Sequence, residues 1–397
     1  MRVLIAFDKF KDSLSAPAAG AITAAALRAL HPDWELDLCP LTDGGEGFCD
    51  ILTRAAGGTV EKISVAGPRG ERITAELGFV PFEKIPPAAR ALLELENPES
   101  EIQNAMVAVV EMAAASGLAL LAPDQRDPWQ TTTLGTGELL RAAARPGVAA
   151  ILLGVGGSAT NDLGLGALAA LGIEYHTARG ESVHPPVPAR WPEIARLVGR
   201  PWESFPPIRI ACDVTNPLLG PQGAAAIYGP QKGLRPADFA QLDHATARLA
   251  LMLCAHFGTP DKLMDAPGAG AAGGLGFGLM AANGARLLPG FDLVAAWLNL
   301  APKLATADLV ITGEGRFDAS SLTGKGPGAV ASRALALGKP VHVFAGAVAA
   351  EPALSKSEGP RKNLLLHAIT PPHTPLAQAL REAPVNLAHA IRREFSP

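Results

Sequence analysis

Six short runs rich in Gly, Asp, Asn and Lys carry the residues of this 397-residue chain with chemistry to offer, and most follow an apolar stretch. In the first, Asp8-Lys9-Phe10-Lys11-Asp12-Ser13, a lysine can reach a phosphate or carboxylate and Asp8 can orient a hydroxyl or metal-bound water. The second, Asp43-Gly44-Gly45-Glu46-Gly47, opens a helix. Its glycines let backbone N–H groups approach an anion, and its carboxylates can hold Mg²⁺. An Asp helix cap explains Asp43 but not three glycines. The third, Gly154 to Asp162, offers hydroxyls and backbone donors to phosphate, while Asn161 and Asp162 can align a substrate hydroxyl and accept its proton. The fourth, Cys212 to Gly220, pairs Asp213 with Asn216 as base and positioning amide, or as an Asx turn before Pro217. Lys232 follows in a Gly-Pro loop. In the sixth, Thr312 to Asp318 presents Glu314 and Asp318 as Mg²⁺ ligands, and Lys325 at a helix start can meet phosphate.

Several familiar chemistries are excluded by spacing. The Gly324-Lys325 pair is not a P-loop, because Ala319 stands where the first glycine belongs and Gly326 replaces Ser or Thr. The fifth run, with Gly268, Gly270 and Gly273, follows a polar, Pro-broken segment and not a strand, which argues against dinucleotide binding. Thr160 breaks the GxSxG order of a hydrolase elbow. With no HExxH and no clustered Cys/His set among the nine histidines, a protein-ligated zinc site is not expected. A net charge of -4 without charge blocks leaves no footprint for nucleic acid or an anionic membrane. Four scattered cysteines suit reduced thiols, and the longest apolar stretch, Met106 to Ala122, is too short and too polar to span a membrane. A cytoplasmic protein is expected.

The elements that must position these residues follow from periodicity. A strand Val3 to Phe7, a helix Pro17 to Leu30 stopped by Pro32, and a strand Leu36 to Leu41 make a βαβ unit, which points to a three-layer α/β sheet. Thr59 to Val65 and Arg72 to Val80, joined through Gly67-Pro68 and Gly70, read as an antiparallel hairpin. The polar stretch from Pro81 to Gln103 reads as a surface excursion. Strands at Met106 to Val110, Ala149 to Gly154 and Ile208 to Cys212 alternate with helices at Leu134 to Ala144 and Gly164 to Leu171. The opening pattern returns with strands Asp308 to Thr312, Val341 to Ala345 and Leu364 to Ile369, and helices Pro327 to Leu337 and Leu376 to Arg393. The simplest assembly joins 1–58 and 287–397 as one α/β domain and makes 59–286 an inserted second α/β domain. A cleft between two such domains is a natural ligand site.

In this order, the six runs resemble the bacterial type I glycerate kinase family, and the likeness covers nearly the whole chain, adding Glu111 to Leu118 and Asp127 to Glu138. The resemblance implies a flavodoxin-like, three-layer parallel-sheet domain plus a second, inserted α/β domain. It implies ATP-dependent, Mg²⁺-assisted phosphorylation of D-glycerate, with 2-phosphoglycerate the expected product. On that reading Lys9 or Lys232 holds the glycerate carboxylate with Lys11 and the loop Gly156-Gly157-Ser158, while Asn161 and Asn216 position the substrate. Asp162 or Asp213 accepts the hydroxyl proton. Gly44, Gly45, Gly313, Gly315 and Lys325 are the nucleotide-binding candidates, and Asp43, Glu46, Glu314 and Asp318 the Mg²⁺ ligands. A monomer or homodimer is expected. Leu163, Ser320 and Ser321 depart from the family pattern beside these positions. A kinase for another small hydroxy acid, or a non-catalytic metabolite sensor, would use the same motifs.

Overall fold

The structure, a computed structural model, describes residues 1–95, 104–201, 204–318, 321, 326–349 and 363–396. The chain divides into two compact units, Met1–Asp43 with Val294–Pro397, and Gly44–Leu293. The sequence reading drew the joins at 58/59 and 286/287. The difference at the first join is the helix Phe48–Ala55, whose buried face of Cys49, Ile51 and Leu52 packs on strands of the Gly44–Leu293 unit, with Cys49 Sγ donating to the Val109 carbonyl at 3.3 Å.

The first unit holds β1 (Arg2–Phe7) and β2 (Glu35–Leu38). The second holds β3 (Thr59–Ala66), β4 (Arg72–Pro81), β5 (Met106–Glu111), β6 (Val148–Gly154), β7 (Glu174–His176), β8 (Arg196–Val198), β9 (Ile208–Ala211) and β10 (Arg286–Leu288). The chain then returns to the first unit with β11 (Leu309–Phe317), β12 (Val341–Val348) and β13 (Leu364–Ala368).

The first unit is one parallel sheet in the order β13-β12-β11-β1-β2. Counted within the unit, this is the flavodoxin-like order 2-1-3-4-5, whose direction of winding reverses between β1 and β11, and ligands bind at such a switch point. The sequence of β1, RVLIAF, is apolar almost throughout because a central parallel strand is covered on both faces. Ser15 starts the covering helix Ala16–Leu30 by accepting the Ala18 N–H at 3.3 Å, with Pro17 in the first turn. β2 stops at Leu38, short of the expected Leu41, although the Cys39 and Leu41 N–H groups still donate to Ile5 and Phe7 carbonyls around Pro40.

The second unit carries a mixed sheet in the order β10-β9-β6-β5-β4-β3. The hairpin β3–β4 is antiparallel as its turn sequence demands, and β5, β6, β9 and β10 run parallel. The three-residue strands β7, β8 and β10 had no periodic signal long enough to read. Each unit has its own apolar core, one around Val3, Ile5, Phe344 and Leu387, the other around Val110, Leu153, Leu168 and Phe277. No disulfide joins the four cysteines. No helix among the described residues is long and apolar enough to cross a membrane.

Candidate active site

In the first unit the chain leaves β1 at Phe7 and turns at once. Asp8 N–H donates to the Gly313 carbonyl at 3.0 Å, and reciprocal bonds between Phe10 and Leu14 close the loop. The Ser13 hydroxyl ties this loop to the C-terminal helix Leu376–Phe395 through the Leu380 carbonyl at 2.9 Å. The loop walls a cavity of about 870 Å³ at the carboxyl ends of β1 and β11. Asp8, Asp43 and Glu314 line it together with Lys9, Lys11 and Arg316. Another wall is apolar, formed by Val348, Ala368, Pro372, Leu376 and Leu380.

Of the carboxylates there, Asp8 is buried, Glu314 half-buried and Asp43 exposed. Burial, reinforced by repulsion from Asp43 and Glu314, pushes the Asp8 carboxyl up to about 7, although Lys9 draws it back. Burial also raises Glu314, and its Oε1 has no hydrogen-bond partner among the described residues. The Lys9 ammonium sits 2.8 Å from Asp43 Oδ1. A hard cation relieves this arrangement better than one lysine does, because it takes several carboxylate oxygens at once. An Mg²⁺ ion would have to draw Asp8, Asp43 and Glu314 together, because their ligating oxygens do not all lie within 4.8 Å of one another.

The membership of that set differs from the sequence reading. Asp8, singled out by its place after β1, is the most perturbed carboxylate of the cavity. Glu46 belongs to the other unit, where it lies beside Gly157: a Cβ there would come within 2.8 Å of Glu46 Oε1. Asp43, Glu314 and Asp318 do not form a group whose ligating oxygens all lie within 4.8 Å of one another. Gly313 and Gly315, expected in a loop, lie inside β11, which runs on to Phe317 in register with β12. A Cβ on Gly313 would stand 1.8 Å from the Phe344 carbonyl oxygen, so this glycine lets two strands approach, and it is not among the residues that line the cavity. Lys325 and Ser320 lie outside the described residues.

In the second unit the carboxyl ends of β5, β6 and β9 gather the remaining runs. Gly44 and Gly45 are packed on the loop after β6: the Gly156 N–H donates to the Gly44 carbonyl at 3.0 Å, and a Cβ on Gly156 would meet Gly45 N at 2.7 Å. Glu111, at the end of β5, accepts the Gly47 and Cys49 N–H groups at 3.0 and 3.2 Å and so caps the helix Phe48–Ala55 from a distant strand. Sequence spacing carries no sign of that role.

Asp162 is fully buried. Its carboxylate accepts the Thr133 N–H at 2.7 Å, the Thr133 hydroxyl at 2.9 Å, and the Gly164 and Gly166 N–H groups at 3.2 Å each. Burial still raises its pKa against these four donors. A carboxylate spent on four donors and closed off from solvent organises its loop. Asp213 is only partly buried, and its oxygens accept the Phe291 N–H at the start of the helix Gly290–Trp297.

Lys232 is buried and spans the loop after β6, donating to Ser158 Oγ at 2.9 Å and to the Thr160 carbonyl at 2.6 Å. Burial brings its pKa down to about 7. Beside it Asn161 is 1% exposed, and neither its amide nitrogen nor its oxygen has a partner among the described residues. Such a group costs roughly 1–3 kcal/mol unless something binds it. Asn216, by contrast, is occupied, donating to the Gln222 carbonyl and accepting the Tyr228 hydroxyl at 2.6 Å. The Thr131-Thr132-Thr133 run backs the loop, with Thr131 Oγ1 donating to the Ala159 carbonyl. Leu163 adopts φ 58° where a glycine is usual.

The sequence matches the glycerate kinase family over residues 3–395. Glycerate kinase of Haemophilus influenzae is 38% identical over 352 residues, covering 87% of this chain and 86% of that protein. Glycerate 2-kinase of Escherichia coli is 37% identical over 359 residues, covering 88% and 86%. A crystal structure from Salmonella typhimurium LT2, proposed there to be glycerate kinase 2, superposes with a TM-score of 0.71 at 36% identity over 99% of this chain and 97% of that one. The strand-end loops built from Asp8, Gly44, Gly156 and Asp213 all fall within the matched region, and the chain belongs to the glycerate kinase family of phosphotransferases.

Proposed function

We propose that this kinase transfers the terminal phosphoryl group of ATP to the 2-hydroxyl of D-glycerate, giving 2-phosphoglycerate. The observation that carries the reading is the cavity at the β1/β11 switch point, where Asp8, Asp43 and Glu314 stand with Lys9, Lys11 and Arg316. At about 870 Å³ it is far larger than a three-carbon acid needs and within the range of nucleotide sites. The apolar wall takes the base, and the three cations face the phosphates. Asp8, Asp43 and Glu314 would hold Mg²⁺, which when bound neutralises phosphate charge.

The acceptor falls to the second unit. The unpaired Asn161 amide offers both a donor and an acceptor to a hydroxy acid, and Ser158 and Lys232 supply further polar atoms along the same loop. Asp213, the partly exposed carboxylate of the two considered, takes the hydroxyl proton. Phosphoryl transfer asks for this kind of positioning and charge balance and for little covalent work.

The test is the phosphorus NMR spectrum of the product formed from ATP and D-glycerate. Phosphate on the secondary 2-oxygen is split by one carbon-bound proton into a doublet, whereas phosphate on the primary 3-oxygen is split by two into a triplet. A triplet overturns the regiochemistry, and no new ester signal with D-glycerate alongside turnover of lactate or tartronate overturns the substrate.

A further inference from the structure

His342 is the second residue of β12, and His367 lies on β13 opposite Phe344. Side chains two apart on one strand share a face, so His342, Phe344 and His367 all lie on one side of the sheet. The C-terminal helix Leu376–Phe395 packs on β12 and brings Glu394, one residue from its end, to the same place. His342 Nδ1 is 3.1 Å from His367 Nε2, and Glu394 oxygens lie 3.6 Å from His342 Nδ1 and 3.7 Å from His367 Nδ1. Among the described residues, this is the only group of three or more His, Cys, Asp or Glu side chains whose ligating atoms all lie within 4.8 Å of one another.

We infer that His342, His367 and Glu394 form a binding site for a divalent transition-metal ion of the zinc class, distinct from the Mg²⁺-type carboxylates of the active-site cavity. One proton is shared between His342 Nδ1 and His367 Nε2, and the carboxylate approaches both rings beyond hydrogen-bond distance, so the contacts within the cluster leave electron pairs unengaged. The separations also suit a metal: one donor atom from each residue lies within 4.8 Å of the other two, and modest side-chain adjustment brings them to the roughly 3.4 Å that separates ligands about 2.0–2.1 Å from a tetrahedral ion. Two nitrogen donors select a borderline transition ion over Mg²⁺ or Ca²⁺. Burial lowers both histidines, His342 to about 4, so the lone pairs are available at neutral pH. Phe344 stacks on His367 at 4.4 Å and Phe395 flanks His342 at 4.9 Å, which fixes the ring planes. The glutamate side chain is 30% exposed, leaving an entry path and room for water as fourth ligand. Bound there, the ion cross-links the C-terminal helix to edge strand β13.

The full chain, stripped with a chelator, is titrated with Zn²⁺ against a chromophoric competitor and melted with and without the metal. The site requires one tight equivalent per chain and a rise in Tm of a few degrees. His367→Gln and Glu394→Gln should each weaken binding by at least about tenfold and remove the shift, while His256→Gln, at a histidine of the other unit, leaves both intact. Because a variant can fail to fold, Co²⁺ is added to the wild-type chain as well, where a four-coordinate site gives intense visible d–d bands. No stoichiometric Zn²⁺ uptake, unchanged affinity in both ligand variants, or only the faint spectrum of six-coordinate Co²⁺ overturns the inference.

Discussion

Asp162 follows Asn161 directly and Asp213 stands three residues before Asn216, so in sequence both read as a base with a positioning amide, yet their surroundings differ. Asp162→Asn sets an amide nitrogen against donors that need an acceptor, so it should cost roughly 1–3 kcal/mol in a urea melt. Asp213→Asn should hold the fold within about 1 kcal/mol and lower kcat by ~10², the usual size of a general-base effect. Equal stability losses with normal turnover in both would remove the distinction. Asp8 supplies a pH signature. Its pKa is 3.8 unfolded and about 7 folded, so between those values the folded chain holds the extra proton and stability falls as pH rises, levelling off above about pH 7. The full effect amounts to about 4 kcal/mol at most. Asp8→Asn should therefore abolish the difference and be the more stable protein at pH 8. His342 and His367, lowered by burial, act oppositely, losing stability as pH falls below 6.5, so wild type minus variant, in urea melts at pH 5 and pH 8, isolates Asp8.

At the scale of elements, glycines in these motifs act on packing before they act on ligands. Gly156 admits the Gly44-Gly45 backbone, and Gly313 admits the Phe344 carbonyl between β11 and β12. Gly313→Ala should push those strands apart and cost about 1–3 kcal/mol or more, read from the denaturation midpoint, with the loss appearing in the absence of nucleotide. A variant as stable as wild type but with a raised KM for ATP would return Gly313 to the nucleotide site. The extension of β11 to Phe317 follows the same logic. Alternating glycines in TGEGRF read as a loop, but seven residues of β11 and β12 stand in parallel register there, and glycine's lack of a Cβ is what the close strands require.

At the scale of the molecule, nucleotide and acceptor are assigned to different units, and hydrogen exchange can separate them. ATP with Mg²⁺ alone should slow exchange in residues 2–14 and 309–317, and D-glycerate alone in residues 154–162 and 212–216. Protection of the first set by D-glycerate alone would reverse the assignment.

The α/β class, the parallel strands of the first unit, the hairpin β3–β4 and the set of strand-end loops were all legible in the sequence, because apolar periodicity and Gly/Pro punctuation are local properties of the chain. Motif order across nearly the whole length was equally legible, and with it the family. Tertiary structure alone decided which polar groups are spent and which are left for a ligand. Asp162 is consumed by a threonine 29 residues earlier, Glu111 caps a helix 62 residues away in sequence, and Asn161 is left without a partner. It also drew His342, His367 and Glu394 together from two strands and a helix, against the sequence expectation of no clustered histidines. The reason is physical: burial and hydrogen-bond satisfaction depend on what lies across space, and a carboxylate or imidazole carries no mark of that in its neighbours along the chain.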